Sequence, residues 1–172
     1  MNGEQINEVG VGMARSKGAD GAIDRPRLTH LALRVHDLER SIAWYLQYTP
    51  LQLLQRSSDD YGVGAWLADP QDKAAPFVLV LSQFKPDMDP FGYAPLTILG
   101  PFAHLGFELT SREDVDAIAT RAEAAGVLTL GPVEMADPIG YICFVEDPDG
   151  NTVEFSHGQG TYARIAEAWG SE

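Results

Sequence analysis

The order strand, helix, strand, strand, strand occurs twice along this chain of 172 residues, and no other feature constrains its fold as strongly. A shift of 74 positions carries His30 onto His104, and the same shift carries the strand-like segment 78–82 onto 152–156. Agreement of two separate segments on one offset indicates an internal duplication. We therefore predict an α+β fold built from two βαβββ modules.

Hydrophobic periodicity assigns the first module to residues 28–83. Apolar residues alternate with polar ones in LTHLALRV, residues 28–35, which is typical of a half-buried strand. Asp37 is a suitable N-cap for the helix that follows, because its carboxylate can accept hydrogen bonds from free backbone N–H groups. After Pro50, three further strands are predicted at 51–56, 64–68 and 77–82.

The second module, residues 101–157, repeats this order. Its first strand is predicted at 101–110, and Ser111 then caps a helix that ends at Gly126. Three strands follow at 127–130, 141–146 and 152–156, and the last two are joined by the turn sequence Asp-Pro-Asp-Gly at 147–150.

Two further segments flank the modules. Residues 1–27 contain few large apolar side chains and follow neither a helical nor an alternating period, which predicts a flexible N-terminal arm or a strap lying on a partner. Residues 158–172 predict a C-terminal helix and tail that packs Ile165 and Trp169 on the body or on a partner subunit.

The composition restricts the class of partner. Lys and Arg number 12 against 25 Asp and Glu, which gives a net charge of −13 and a pI near 4.5. This charge repels phosphate backbones and anionic lipid surfaces, so we expect neither a nucleic acid nor a membrane partner. No apolar run approaches the roughly 18 residues of a spanning helix. The single cysteine, Cys143, suits a reducing compartment, so the expected protein is cytoplasmic and binds a small molecule.

Three side chains form the candidate metal site. His30 and His104 each lie on the first strand of a module, and Glu154 lies on the last strand of the second module. Glu154 is flanked by Val153 and Phe155 in a short apolar strand, where a carboxylate without a partner is costly. Two imidazoles and one carboxylate form a facial triad that leaves open positions on a divalent cation, although these residue types do not select the metal.

The segments LTHLALRVHDLERSIAWY and FVEDPDGNTVEF resemble the vicinal oxygen chelate superfamily, which includes glyoxalase I, extradiol dioxygenases, and the fosfomycin and bleomycin resistance proteins. The resemblance covers residues 28–156 and implies paired modules that form a cup-shaped mixed sheet, usually in a homodimer. It also implies ligand roles for His30, His104 and Glu154. The implied cofactor is a divalent metal ion, with Fe²⁺ favoured and Mn²⁺, Zn²⁺ or Ni²⁺ as alternatives.

The sequence departs from this family at positions that bear on the reaction. Glyoxalase I uses a fourth ligand, Glu or Gln, where this chain has Val80. The fosfomycin-modifying enzymes carry a threonine where it has Ala32. The extradiol enzymes place a catalytic tyrosine where it has Phe144, so Tyr141 is the candidate substitute.

Three functions are compatible with these departures. The first is a metal-dependent enzyme whose substrate chelates the cation through adjacent oxygens, with dioxygenase-type ring cleavage favoured because three ligands leave the metal open coordination. The second is a glyoxalase-type lyase or isomerase in which water replaces the fourth ligand. The third is a non-catalytic protein that binds a small molecule, such as a drug, and confers resistance.

The remaining candidate residues each have a functional and a structural interpretation. His36 can act as a catalytic proton shuttle or can lie solvated at the rim of the sheet. Arg34 and Glu108 can bind a polar substrate or can pair with each other. Trp66 can wall an apolar substrate pocket or belong to the core, and Phe144 is assigned to the same pocket.

Overall fold

Two mixed four-stranded sheets, one in each predicted module, carry the fold. In this computed structural model, residues 25–73, 75–89, 98–99 and 102–170 are described. The first module consists of β1 (His30–Arg34), α1 (Leu38–Tyr48), β2 (Gln52–Ser58), β3 (Gly62–Ala68) and β4 (Val78–Phe84). Its strand order is β1-β4-β3-β2, with β1 parallel to β4 and the other neighbours antiparallel.

The second module repeats this arrangement. It consists of β5 (Leu105–Glu108), α2 (Arg112–Ala125), β6 (Leu128–Glu134), β7 (Tyr141–Glu146) and β8 (Thr152–His157). Its strand order is β5-β8-β7-β6, and β5 and β8 form its parallel pair. Leu31 pairs with Leu79 in the first sheet and Leu105 pairs with Val153 in the second, so the registers keep the offset of 74 positions. The predicted α+β fold with two βαβββ modules is confirmed.

Side-chain caps begin both module helices, as the sequence predicts. At the start of α1, the Asp37 carboxylate accepts a hydrogen bond from the Arg40 backbone N–H at 3.0 Å. At the start of α2, the Ser111 hydroxyl accepts from the Asp114 backbone N–H at 3.2 Å. The helix α2 ends at Gly126, whose φ of +71° lies in the left-handed region that glycine adopts without steric cost.

Each helix covers one face of its own sheet, and the two interiors form one apolar core. The helix α1 packs on β2, β3 and β4, and α2 packs on β6, β7 and β8. Fully buried side chains of this core come from both modules and include Tyr45, Leu67, Leu81, Val115, Val145, Val153 and Phe155. Because side chains alternate along a strand, packing of the helix-covered faces fixes which residues point to the opposite faces.

Two carboxylates in the turn between β7 and β8 bind residues of the first module. Asp147, which is 3% exposed, accepts the Tyr45 hydroxyl of α1 at 2.7 Å. Asp149 accepts the Ser41 hydroxyl of α1 at 3.0 Å and the His36 backbone N–H at 2.9 Å. Burial, reinforced by the Asp147 charge, raises the pKa of Tyr45, so the hydroxyl keeps its proton and continues to donate.

The Asp147 carboxylate accepts its other hydrogen bonds from residues of its own turn. One oxygen accepts the backbone N–H groups of Asp149 and Asn151 at 2.9 and 2.8 Å. The other oxygen accepts the Asn151 side-chain amide at 2.9 Å in addition to the tyrosine hydroxyl. These bonds compensate for removing a carboxylate from water, and they fix the point at which β8 begins.

The compact body of the fold is Leu28–Gln159, and the other described residues belong to a second unit. This second unit contains α3 (Thr161–Trp169), which follows Gly160. The predicted N-terminal arm, residues 1–27, lies outside the described residues except for 25–27. No helix in the described part of the chain is both long and apolar enough to cross a membrane.

Replacing Tyr45 with Phe removes the hydroxyl that donates to the buried Asp147 carboxylate. We expect Tyr45→Phe to lower the free energy of unfolding by about 1–3 kcal/mol, because the carboxylate stays buried with one donor fewer. Tyr61→Phe is the matched control, since Tyr61 is 52% exposed. Urea denaturation measures both variants, and equal stability of the two would contradict the role assigned to this hydrogen bond.

Candidate metal centre

Glu154 lies in the middle of β8, with its side chain on the face of the sheet opposite α2. Its register neighbours are Gly106 on β5 and Phe144 on β7. Val153 and Phe155, the residues beside it in the strand, are fully buried in the core. Glu154 is itself only 5% exposed, so its carboxylate needs polar partners.

The imidazole of His104 faces the Glu154 carboxylate, with 3.4 Å between Nε2 and Oε2. Its other ring nitrogen, Nδ1, lies 2.7 Å from the carbonyl oxygen of Phe102. Because a carbonyl oxygen only accepts, Nδ1 carries the proton and donates, and a neutral imidazole then has a lone pair on Nε2. The Phe144 ring packs beside the imidazole at 5.5 Å between ring centroids.

His104 immediately precedes β5, whereas the sequence predicts a strand over 101–110 that includes it. The strand begins at Leu105, one residue after the histidine. The Phe102 carbonyl, which lies before the strand, accepts from this imidazole. The parallel register with β8 nevertheless continues the alternation of faces, so His104 lies on the same face as Glu154.

The facing atoms of this pair, His104 Nε2 and Glu154 Oε2, are both acceptors when the imidazole is neutral. The second carboxylate oxygen, Oε1, accepts the side-chain amide N–H of Gln159 at 2.7 Å. A divalent cation bound by both the imidazole nitrogen and the carboxylate oxygen would satisfy both lone pairs, and this donor set suits Zn²⁺, Mn²⁺ or Fe²⁺. The two side chains therefore fit two of the ligands of a metal site.

His30 is the first residue of β1, and its side chain is exposed. Its Nδ1 lies 2.9 Å from the Thr29 hydroxyl oxygen. Among the described residues of one chain, no three His, Cys, Asp or Glu side chains are arranged to hold a metal ion. One copy of the chain therefore brings His104 and Glu154 together and leaves His30 apart, and the ligand role of all three stays a prediction.

The strands β1 and β5 are the outer strands of their sheets, and within the described ranges neither has a strand partner on its outer side. Ala32 of β1 pairs with Val80 in the same way as Gly106 of β5 pairs with Glu154. Val80 thus occupies the position in the first module that the carboxylate occupies in the second. A Cβ added at Gly106 would meet no atom within 4 Å, so the β5 side of Glu154 is open.

Tyr141, the predicted catalytic tyrosine, lies against α2. Its hydroxyl donates to the Asp116 carboxylate at 2.7 Å, and this hydrogen bond raises the pKa of Tyr141. Tyr141 and Phe144 are three residues apart in β7, so their side chains point to opposite faces. The structure therefore places Tyr141 on the helix-covered face, away from Glu154.

His36, the predicted proton shuttle, lies just after β1 at the contact between the modules. Its backbone N–H and its Nδ1 both donate to Asp149, and the ring is largely exposed. Its catalytic role stays a prediction, whereas its contact with the turn before β8 is observed.

The two aromatic side chains predicted to contact substrate lie on the sheet faces opposite the helices. Phe144 is the register neighbour of Glu154 and contacts the His104 ring. Trp66 of β3 pairs with Val80, is 42% exposed, and lies on the same face of its sheet as His30. Each candidate therefore lies on the face of its module that also carries a predicted ligand.

The two charged candidates for substrate contact both have polar surroundings. Arg34 forms an ion pair with Asp89, and its guanidinium lies 5.8 Å from the centroid of the Phe84 ring. Glu108 pairs with Ser156 in the ladder between β5 and β8, two residues beyond the pair formed by Gly106 and Glu154. Their roles in substrate binding stay predictions.

A cavity of about 190 Å³ lies beside β5. Its lining is mostly apolar and includes Leu51, Phe77, Leu79, Leu105 and Phe107. Neither His104 nor Glu154 lines this cavity, whereas Gly106, the register neighbour of Glu154, does.

Sequence reasoning missed Gln159, which binds the Glu154 carboxylate directly. The available signal is the sequence His-Gly-Gln-Gly at 157–160, since two glycines directly after a strand predict a tight change of direction. Sequence reasoning also assigned Asp149 only to a turn. The burial of this carboxylate depends on contacts with residues of α1, which are distant in sequence.

Two relatives match most of this chain. An uncharacterized protein of Pseudomonas aeruginosa is 39% identical over 135 residues, which are 78% of this chain and 90% of that protein. A probable lactoylglutathione lyase of Vibrio cholerae is 26% identical over 141 residues, which are 81% of this chain and 96% of that protein. Both similarities extend over nearly the whole length of the relative.

Solved structures share the fold. A glyoxylase/bleomycin resistance protein/dioxygenase domain from Frankia has a TM-score of 0.60 at 25% identity, with 78% of this chain and 99% of that chain covered. Glyoxalase I from Leishmania major has a TM-score of 0.58 at 24% identity, with 84% and 94% covered. The fosfomycin resistance protein FosX from Listeria monocytogenes, in a complex with Mn(II) and dihydroxypropylphosphonic acid, has a TM-score of 0.57 at 18% identity, with 80% and 94% covered.

A family model describes the match at the level of sequence. The model of the glyoxalase/bleomycin resistance protein/dioxygenase superfamily matches residues 27–155. This range contains both βαβββ modules and ends within β8, one residue after Glu154. The chain therefore belongs to the glyoxalase/bleomycin resistance protein/dioxygenase superfamily.

Proposed function

We propose that this chain is a metal-dependent lyase or isomerase of glyoxalase type, acting on a small organic substrate whose adjacent oxygens chelate the metal. The observation that carries the proposal is the His104 imidazole facing the Glu154 carboxylate, with 3.4 Å between Nε2 and Oε2, where both atoms offer a lone pair to a cation when the imidazole is neutral. A bound divalent cation supplies Lewis-acid polarisation of the substrate oxygens and stabilises negative charge that develops on them. Similarity to the probable lactoylglutathione lyase supports the reaction class.

The proposed site is completed by His30 of a second copy of the chain. His30 is exposed beside the outer edge of β1, and His104 lies at the equivalent position beside the outer edge of β5. Native proteins cover unpaired sheet edges, and docking β1 of one copy beside β5 of another covers both. A two-fold homodimer built in this way holds two equal sites, each with two imidazoles and one carboxylate.

The surrounding chain orients the ligands before any cation binds. The Phe102 carbonyl accepts from His104 Nδ1, which holds the imidazole in the tautomer whose Nε2 can coordinate. The core contacts of Val153 and Phe155 fix the strand that carries Glu154. This preorganisation lowers the entropic cost of binding a metal and a chelating substrate.

The same sheet faces supply the proposed substrate contacts. Phe144 beside the second-module ligands and Trp66 on the His30 face offer aromatic surface to the apolar part of a substrate. Arg34 and Glu108 lie farther along these faces and bind its polar groups. A substrate that combines a chelating head with an apolar body matches this distribution.

Oxygen-dependent ring cleavage is the second candidate, because the donor set itself favours it. Two imidazoles and one carboxylate with open positions are the ligands typical of non-haem Fe²⁺ oxygenases. Val80 adds no fourth ligand to this set. The location of Tyr141 weighs against ring cleavage, since its hydroxyl is bound to Asp116 on the helix-covered face.

We also propose that the protein works in the reducing cytoplasm. Its single cysteine, Cys143, is fully buried, and burial raises the pKa of the thiol to about 11. A buried, protonated thiol of this kind is inert towards oxidation and disulfide exchange. The cysteine therefore serves the core as a small apolar side chain.

Metal content and oxygen dependence distinguish the candidate reactions. We expect protein purified without chelator to hold about one divalent ion per chain and to form lactoylglutathione under nitrogen, with both properties lost in His104→Ala. Metal analysis and an anaerobic absorbance assay provide the two measurements. Oxygen uptake with catechols, lost in the same variant, would establish ring cleavage instead, and unchanged ligand binding after metal removal would establish sequestration.

Mixing two variants tests whether each site draws on two copies. His30→Ala and His104→Ala are each expected to lose metal binding on their own. In a heterodimer of the two, one site lacks both imidazoles and the other site is complete, so random pairing restores about one quarter of the wild-type metal sites. Metal bound per chain is measured after co-expression of differently tagged copies. Verified heterodimers with no recovered metal binding would refute a shared site.

Glu154→Gln is expected to separate metal binding from stability. The new amide can accept from Gln159 through its oxygen and donate to His104 Nε2, so it replaces two facing acceptors with a donor and an acceptor. In EDTA at pH 8, we expect the variant to be as stable as the wild type or up to about 1 kcal/mol more stable, while metal binding is lost. Thermal unfolding with Glu146→Gln as control measures this, and a clear destabilisation by Glu154→Gln alone would count against the acceptor pair.

A further inference from the structure

We propose that Gln159 is a positioning residue that holds the Glu154 carboxylate in the orientation for coordination, an inference that rests on the proposed metal site. Gln159 is partly buried and follows β8 by two residues. Its side-chain Nε2 donates to Glu154 Oε1 at 2.7 Å. The amide oxygen cannot replace the nitrogen in this contact, because two acceptors would then face each other.

The two oxygens of the Glu154 carboxylate have different partners. Oε1 is bound by the amide of Gln159, and Oε2 faces the imidazole of His104. The terminal torsion of a glutamate side chain is otherwise broad, so an unbound carboxylate samples many orientations. Binding of one oxygen restricts this torsion and keeps the other oxygen directed at the position between the two ligands.

The backbone around Gln159 is built to hold this side chain in place. Gly158 and Gly160, on either side, have φ values of +87° and +64°, in the left-handed region that glycine adopts without steric cost. A Cβ added at Gly140 would lie 2.5 Å from the His157 carbonyl oxygen and 3.3 Å from the Gln159 backbone nitrogen. The backbone of this loop therefore packs directly against Gly140. This contact fixes the backbone position from which the Gln159 side chain extends.

Residues that orient a metal ligand through hydrogen bonds contribute to affinity without touching the metal. Loss of such a contact typically weakens metal binding by roughly ten- to a hundredfold. Gln159 meets this description, because it contacts the carboxylate oxygen that does not face His104. Its effect is therefore expected in the dissociation constant of the metal, with the fold of the metal-free chain unchanged.

Gln159→Met tests the inference, because methionine keeps the length of the side chain and removes the donor. The full-length variant is stripped with EDTA and titrated with Mn²⁺ alone, with free Mn²⁺ followed by electron paramagnetic resonance. We expect the dissociation constant to rise roughly ten- to a hundredfold. Gln47→Ala, an exposed substitution on α1, is the matched control and should remain within about twofold of the wild type.

Two further measurements exclude a merely structural effect. Thermal unfolding in EDTA should show Gln159→Met folded, with a midpoint lowered by the loss of one donor to a buried carboxylate. The resonance spectrum of bound Mn²⁺ should also change because the carboxylate orientation changes, and a loss of stability alone would leave that spectrum unaltered. Wild-type affinity and an unaltered spectrum in Gln159→Met would overturn the positioning role.

The same titration separates failure of this inference from failure of the proposed function. Wild-type protein that binds Mn²⁺ in a manner dependent on Glu154, together with unaltered binding in Gln159→Met, refutes only the role of Gln159. Wild-type protein that binds no Mn²⁺ refutes the metal site and the positioning role together.

Discussion

Hydrogen bonds to two carboxylates, Asp147 and Asp149, are the constraint on which the rest of the structure depends. No strand ladder joins the two modules in the described ranges, so this network and the shared core connect them. The network also fixes Asn151, the residue directly before β8. Because Glu154 follows three residues later in the same strand, the contact that joins the modules also sets the position of the candidate ligand.

Much of the fold could be predicted from local pattern and from the repeat. Alternating and helical hydrophobic periods locate most elements. Asp37 and Ser111 indicate where the two module helices begin, because capping depends only on neighbouring residues. The offset of 74 positions identifies which strands correspond, and the ladder registers preserve it. It also predicts that Val80 and Glu154 occupy equivalent positions, so the first module has an apolar residue where the second has a carboxylate.

The features of the site that could not be predicted from the sequence depend on contacts between segments that are distant along the chain. Burial of a turn carboxylate requires a hydroxyl from a helix in the other module, as for Asp147 and Tyr45. The tautomer of His104 depends on the position of the Phe102 carbonyl, and the contact of Gln159 depends on the conformation of the loop after β8. The isolation of His30 has a further cause, since the edge beside it has no partner in the described residues of a single copy.

The pairing of Val80 with Ala32 carries an evolutionary consequence. The two modules place Val80 and Glu154 at equivalent positions of their ladders, and of these two positions only the second bears a carboxylate. A glutamate acquired at position 80 would enter a row whose geometry already exists, without remodelling either sheet. A single substitution can therefore change which side chains this face offers, which is consistent with one fold serving glyoxalases, dioxygenases and bleomycin resistance proteins.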